Sequence, residues 1–337
     1  MYRLGASKTN ANLVMTGLQD NGTKLRNNTT WTDVIGGDGM ECMIDHSNAN
    51  IMYGALYYGQ IRKSTNGGSS FSAMTLPSEY SSNLGAWVTP YVMHPTTAST
   101  IYVGYRNVFK STNSGSNWTQ ISNFTTGTLT LLHVAPSDAN YIYAATGGDG
   151  TVKRTTNGGT TWTSLTLPTT NYFTYLAIHP TNPLKIWTTF SGYTANAKVY
   201  ESTDGGSTWT NISGTNQLPN VPVNTIVYQN ELNNRLYVGT DIGVYYKDDN
   251  SNGWVEFSDN LPNVVVNELE IHYGTMKLRA ATYGRGLWEA EIPSANVTLE
   301  TPTLSAPANA STDLSTSTTL SWTAVTDATS YNVQYST

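Results

Sequence analysis

Four segments of this chain align on one another without a gap. They are Ser64-Thr-Asn-Gly-Gly-Ser-Ser-Phe71, Ser111-Thr-Asn-Ser-Gly-Ser-Asn-Trp118, Thr155-Thr-Asn-Gly-Gly-Thr-Thr-Trp162 and Ser202-Thr-Asp-Gly-Gly-Ser-Thr-Trp209. Their starts lie 47, 44 and 47 residues apart. A unit repeated at that period stacks against copies of itself, so the chain is an array, solenoid or propeller. Looser copies end at Trp254 and Trp31. Each copy reads as a tight turn between strands. An Asn or Asp side chain bonds backbone amides further along the turn. Glycine supplies positive φ. The closing aromatic is left to pack against a neighbouring unit.

The sequence around each copy repeats too. An apolar strand ends near a proline, as in Tyr91-Val-Met-His-Pro95 and Leu176-Ala-Ile-His-Pro180. A second strand follows, such as Ile101-Tyr-Val-Gly104. A third runs into the turn, as in Lys198-Val-Tyr-Glu201, and a fourth leaves from the Trp. Four strands in about 46 residues make a propeller blade. Second strands fall near Val14, Met52, Tyr102, Ile142, Ile186, Tyr237 and Leu278. The fold expected is therefore all-β, a seven-bladed propeller of four-stranded blades over residues 1–293. The last unit, Glu268 to Ile292, shows three strands and no repeat turn. Its fourth strand is expected from Asn296–Leu299 or from chain preceding Met1.

The repeated turn resembles the Asp box, Ser/Thr-x-Asp/Asn-x-Gly-x-x-Trp/Phe, of BNR-repeat and sialidase-like propellers, a group that takes in sortilin-like and xyloglucanase-like members. Gly17-Leu-Gln-Asp-Asn-Gly22, Gly36-Gly-Asp-Gly39 and Thr282-Tyr-Gly-Arg-Gly-Leu-Trp288 look like the ends of such propellers in secreted proteins of Bacteroidetes-type bacteria. The resemblance covers residues 1 to about 293. It implies that Asp204, Asn66, Asn113 and Asn157 are structural, on the face opposite any active site. After a linker at 294–301, residues 302–337 resemble the start of a fibronectin type III domain. Thr319-Leu-Ser-Trp322 looks like its second strand and Ser330-Tyr-Asn-Val-Gln-Tyr335 its third. A sandwich of that kind needs about 100 residues, so this stretch is incomplete and a longer parent chain is expected.

Composition narrows the partners. The net charge is −6 and only 12% of residues are charged. Nucleic-acid binding needs clustered cations, so that partner is excluded. No apolar run of 18 residues is present, so no membrane-spanning helix is expected. Few cysteines (Cys42 alone) beside much Thr, Asn and Tyr suit an exported or cell-surface protein. No signal peptide opens the sequence, so the chain reads as an intracellular protein or as a piece of a larger one, and the piece is preferred.

Function is then expected on the loops opposite the repeat turns. They carry Asp20 with Asn21, Tyr57, Tyr58, Tyr105, Arg106, Asp149, Tyr193, Asp241, Tyr283 and Arg285. Interblade links add Asp38, Glu41, Trp87, Tyr172 and Phe173. Rings stack on apolar sugar faces while carboxylates take hydroxyls. The ligand-binding set expected is Tyr57, Tyr58, Trp87, Tyr105, Arg106, Asp149, Tyr172, Tyr283 and Arg285; the bland alternative is that tyrosine is common in strands. Asp20 and Asp38, paired with Asp241 from across the funnel, are the candidate carboxylates for glycoside hydrolysis. The competing reading is that they shape their own glycine turns. A true sialidase is not expected, because its arginine triad for the sugar carboxylate finds only Arg106 and Arg285 on this face. Xyloglucanase-type hydrolases place their cleft between two propellers, and this sequence holds one.

Asp248-Asp-Asn-Ser-Asn-Gly253, with Glu256 and Asp259 after it, fits the spacing of a calcium loop. Asp248, Asn250, Asn252, Glu256 and Asp259 are thus candidate Ca2+ ligands, against the alternative of an altered repeat turn. No other cofactor is expected. His94 and His179 recur at one repeat position and read as structural. The function expected is a surface module that binds a polysaccharide, glycan or surface protein. The alternatives are a glycoside hydrolase, or half of one, and an assembly-factor propeller like those of photosystem II.

Overall fold

The structure is a computed structural model. It describes residues 1–337 except 83–84, 126, 148–149, 216, 231–232, 295–300, 309–310, 316, 326–330 and 332–337. The chain forms two compact units, Met1–Pro293 and Ser294–Thr337.

The first unit is all-β and consists of seven antiparallel sheets in chain order. Blade one is β1 (Arg3–Ala6), β2 (Leu13–Leu18), β3 (Gly22–Asn27) and β4 (Thr30–Ile35). Blade two is β5 (Gly39–Ile44), β6 (Met52–Leu56), β7 (Gln60–Ser64) and β8 (Ser72–Ala73). Blade three is β9 (Tyr91–Met93), β10 (Ile101–Gly104), β11 (Val108–Ser111) and β12 (Thr119–Gln120). Blade four is β13 (Leu129–Val134), β14 (Ile142–Thr146), β15 (Val152–Thr155) and β16 (Thr163–Leu165). Blade five is β17 (Phe173–Ile178), β18 (Ile186–Phe190), β19 (Val199–Ser202) and β20 (Thr210–Asn211). Blade six is β21 (Val223–Tyr228), β22 (Leu236–Thr240), β23 (Gly243–Lys247) and β24 (Val255–Glu256). Blade seven has three described strands, β25 (Val266–His272), β26 (Lys277–Thr282) and β27 (Gly286–Glu291).

All seven expected second strands are present. Burial explains why they were legible. β6, β14, β18 and β22 are buried at every residue, because a neighbouring blade covers each of their faces. Such strands are apolar or small throughout, not alternating. The fourth strands β8, β12, β20 and β24 are exposed throughout and lie at the rim.

The repeat turns stitch blade to blade. In the first, the Ser64 Oγ donates to Asn66 Oδ1 at 2.9 Å and accepts the Gly68 amide at 3.0 Å. The same pair of bonds recurs at Ser111, Thr155 and Ser202. Asp204 also accepts the amides of Ser207 and Thr208 and the Thr208 hydroxyl, which hold its carboxyl well below the usual range. The indoles then reach back. Trp118, Trp162, Trp209 and Trp254 each donate Nε1–H to a carbonyl of the preceding blade: Thr75, Ile121, Thr166 and Ile212, at 2.7–2.9 Å. His94 and His179 accept turn amides through Nδ1, in keeping with a structural role.

The ring closes where blade seven meets blade one, and side chains close it. Glu268 and Glu270 on β25 accept the β1 amides of Leu4 and Ala6, at 2.5 and 3.1 Å. Arg26 on β3 grips Glu289 on β27 with two bonds, at 3.0 and 2.9 Å, and Arg279 adds a third at 2.7 Å. The segment 296–299, expected to supply a fourth strand here, lies outside the described residues.

In the second unit β28 (Leu304–Ala306) pairs with β29 (Ser321–Trp322), and the Trp322 ring meets Tyr331 at 5.4 Å. The third strand expected at 330–335 falls on residues outside the described set, Tyr331 apart.

Candidate functional site

Antiparallel blades send successive turns to opposite ends of the ring. The repeat turns join third to fourth strands, so the turns joining second to third strands, and the links to the next blade, share the other end. On that end a groove of about 550 Å³ opens over blades one and two. Asp20, Asn21, Asp33, Asp38 and Tyr57 line it with Lys24.

Glycine builds this groove. A Cβ on Gly17 would stand 1.8 Å from the Met40 carbonyl oxygen, and one on Gly39 would stand 2.2 Å from that of Gly22. Only backbones without side chains allow blades one and two to approach so closely. That approach brings the loops of Asp20 and Asp38 together. Asp38 Oδ1 accepts the Asp20 amide at 2.6 Å. Asp20 itself sits at φ +59°, a left-handed turn position that Asp tolerates. Asp33 is paired with Lys24.

An aromatic wall borders the groove. Tyr57 and Trp87 stack with centroids 5.6 Å apart and planes 10° apart. Tyr58 packs edge-on against both. Trp87 Nε1 donates to the Tyr2 hydroxyl, which donates on to Gln19 Oε1. Tyr58 and Trp87 keep 39% and 37% of their surface exposed, so the wall is open to a ligand. Five of the expected residues, Asp20, Asp38, Tyr57, Tyr58 and Trp87, are thus gathered at one place.

The others part company with it. Asp241, on blade six, accepts from Asn224 Nδ2 at 2.9 Å and does not line the groove. Tyr105 is a correction: its side chain is wholly buried and its hydroxyl donates to the Gly59 carbonyl, so it belongs to the core. The length of a tyrosine in a top-face turn did not reveal that it bends inward under the next loop. Arg106 is half-buried, while Tyr172, Tyr283 and Arg285 are exposed on other blades. Asp149 lies outside the described residues. Among the calcium candidates, Asp248 is bound by Arg235 through Nε and Nη2, at 2.9 and 2.5 Å, which holds its carboxyl low. Asn250 offers Asp248 its amide. Glu256 and Asp259 line a separate slot between blades six and seven, and Asn252 gives its carbonyl to Gln217. Among the described residues no three His, Cys, Asp or Glu gather as a metal site.

Sequence reading missed a second polar centre. The inner strands enclose a central cavity of about 310 Å³, lined by Arg3, Glu41, His133, Tyr175, Glu268 and Glu270 among others. These residues come from β1, β5, β13, β17 and β25, so no local pattern joins them. Burial pushes the Glu41 and Glu270 carboxyls up to about 7, against the pull of Arg3 and Arg279; burial, with the neighbouring Glu41, also raises Glu268 well above the usual carboxylate range. Burial, helped by Arg3, lowers His133 to about 4. Arg3 reaches Glu41 at 3.4 Å. The one available signal was charge on inward-facing positions of otherwise apolar inner strands.

The fold is that of a propeller class met in both enzymes and binding proteins. Residues 106–217 match the Sortilin-Vps10 family (sortilin, neurotensin receptor 3). An ancestral GH74 enzyme superposes with TM-score 0.69 at 17% identity, over 87% of this chain and 45% of that one. The GH74 xyloglucanase of Xanthomonas campestris gives 0.67 at 13%, over 90% and 55%. YCF48 bound to D1 peptide gives 0.64 at 14%, over 87% and 93%. This chain therefore spans about half the length of the GH74 enzymes. No curated protein sequence matches it. Among the described residues no helix is long and apolar enough to cross a membrane.

Proposed function

We propose that this propeller is a carbohydrate-binding module whose site is the groove over blades one and two, exposed at the surface of a secreted or cell-surface protein. The observation that carries the reading is the stacked Tyr57–Trp87 wall beside the Asp20 carboxylate. Rings present an apolar platform to a sugar face, and the acid accepts its hydroxyls. Binding is favoured over hydrolysis by the local bonding. Asp38 is engaged by the Asp20 amide and Asp33 by Lys24, so among the described residues Asp20 is the groove carboxylate that accepts no hydrogen bond or ion pair, where hydrolysis would use two acting together. The test is a glycan array on the wild-type protein, followed by calorimetry on each hit. Trp87→Ala should weaken binding about tenfold or more, as expected for an aromatic anchor. Binding that Trp87→Ala and Asp20→Ala both leave unchanged would place the site elsewhere.

A second reading is one propeller of a two-propeller glycoside hydrolase. The coverage of 45% and 55% of the two GH74 chains favours it. Release of reducing ends from an array hit, lost in Asp20→Asn, would replace the binding reading with this one.

A further inference from the structure

The acids around the ring axis exceed what closing the ring requires. The central cavity of about 310 Å³ is walled by residues of β1, β5, β9, β13, β17 and β25. Glu268 and Glu270 stand two residues apart on β25, so they share one face of the strand. Each commits one oxygen to the seam: Oε2 takes the amide of Leu4 or Ala6. Their Oε1 atoms accept no hydrogen bond among the described residues, although Glu268 is only 9% exposed. Buried acceptors are ordinarily satisfied, so these two call for a donor.

The nearby cations are engaged elsewhere. Arg3 lies 3.4 Å from Glu41 and donates to the Tyr2 carbonyl. Arg279 is held by Glu289 and the Ala11 carbonyl. Three carboxylates therefore line the cavity beside the Arg3 guanidinium. His133 and Tyr175 line the same space and form no hydrogen bond among the described residues; their rings meet edge to face at 5.2 Å. Met93, Leu131 and Leu132 supply apolar wall. Among the described residues no three acids or histidines converge as a metal ion needs, so the carboxylates are spread along the wall. Lys8, His46 and His94 lie just beyond β1, β5 and β9, at the repeat-turn end of the ring. Lys8 is exposed, so the cavity reaches solvent at that end.

We propose that the central cavity is a second ligand site, which binds a small aliphatic amine as its ammonium ion, admitted from the repeat-turn end. The ammonium N–H groups donate to the free oxygens of Glu268 and Glu270. The Tyr175 ring lies beside the charge, as aromatic faces favour, and the leucines cover the methylenes. The charge count selects a cation over an anion, since three carboxylates face one engaged guanidinium. The spread of the acids selects an extended organic cation over a metal ion. A cavity of about 310 Å³ stands at the small end of ligand pockets, which limits the amine to a few carbons. The site is separate from the groove over blades one and two, and its occupancy does not depend on that groove.

The probe is the diamine of butane, amino groups at both ends, titrated into the whole chain by calorimetry beside the matching diol, butanoate and calcium chloride. The diamine should bind saturably and raise the melting temperature, and the diol and butanoate should do neither. Glu268→Gln keeps an acceptor for the Leu4 amide and should weaken binding about tenfold or more. Glu270→Gln, which keeps one for Ala6, should do the same. A proton count adds a readout that merely structural acids would not move. The titratable groups around Glu268 are Arg3, Glu41, Cys42, His133, Tyr175 and Glu270; Tyr91 of β9 gives its hydroxyl to the Glu41 carbonyl. Burial raises the three acids to neutral pH or above, and an ammonium beside them favours their ionised form. Diamine binding should therefore release protons and tighten between about pH 6 and pH 8, where an amine like that of lysine, at about 10.4, stays charged. No saturation at about 10 mM diamine would overturn the proposal. So would equal binding of the diol, a response to calcium alone, or an affinity that both Gln variants leave unchanged.

Discussion

Glu289→Ala tests how this ring is closed. Glu289 accepts two bonds from Arg26, which join blade seven to blade one across 263 residues of chain, and one from Arg279 of its own blade. Those bonds pull its carboxyl down to about 2, from an ordinary value of about 4.3. That depression corresponds to about 3 kcal/mol of stability at neutral pH. The Glu289 side chain is 22% exposed and that of Arg26 is 16% exposed, so screening by solvent trims the figure to about 2 kcal/mol. Removing the acid also leaves the Arg279 guanidinium, 1% exposed, with the Ala11 carbonyl as its one hydrogen-bond partner among the described residues, a loss of the same sign. The sign with pH follows from the direction of the shift. A carboxyl depressed in the folded state stabilises above its unfolded value and loses that contribution as pH falls toward its folded one. Urea unfolding followed by tryptophan fluorescence should therefore place Glu289→Ala about 2 kcal/mol below wild type at pH 7, with the gap closing between about pH 4 and pH 2. A gap under about 0.5 kcal/mol at pH 7, within ordinary surface effects, would refute the reasoning. A gap that persisted at pH 2 would show that packing, not charge, is what the acid provides.

Three further outcomes are expected. Glu270 carries the opposite sign. Its carboxyl is raised to about 7 by burial, so stability is full below about pH 4 and declines as pH rises toward 7. Glu270→Gln keeps an acceptor for the Ala6 amide and should flatten that decline by about 1–2 kcal/mol in a pH series of urea melts. Trp254→Phe keeps a ring in its slot but orphans the Ile212 carbonyl, and should cost about 1–2 kcal/mol; Trp31→Phe, on an exposed ring, should stay within about 0.5 kcal/mol in the same assay. Because Arg235 already holds Asp248, melting with and without a chelator should agree within about 1 °C; a larger drop would establish a calcium site at 248–259.

How much could be read without coordinates differs by level. The blade count was legible because each second strand is buried on both faces and must be apolar along its length, while each repeat turn needs Asn or Asp and Gly at set places. Those are demands of local backbone and burial, and they recur in register. The groove was half legible. Asp20, Asp38, Tyr57, Tyr58 and Trp87 follow from knowing which turns share an end of the ring. Their bonding does not follow, because the Asp38–Asp20 contact rests on the approach of two blades permitted by Gly17 and Gly39. Tyr105 shows the limit plainly: its position in the turn was right, and only the packing of the Gly59 loop decided that it is core.

The sequence by itself thus determined the repeat, its period and the end of the ring where ligands belong, since these depend on contacts within about 46 residues. Tertiary structure alone decided two things. It made Glu268, Glu270 and Glu289 partners of strands some 264 residues away. It gathered Arg3, Glu41, His133, Tyr175, Glu268 and Glu270 from five inner strands around one cavity. Each depends on which blade lies next to which once the ring has closed, and no spacing along the chain carries that information.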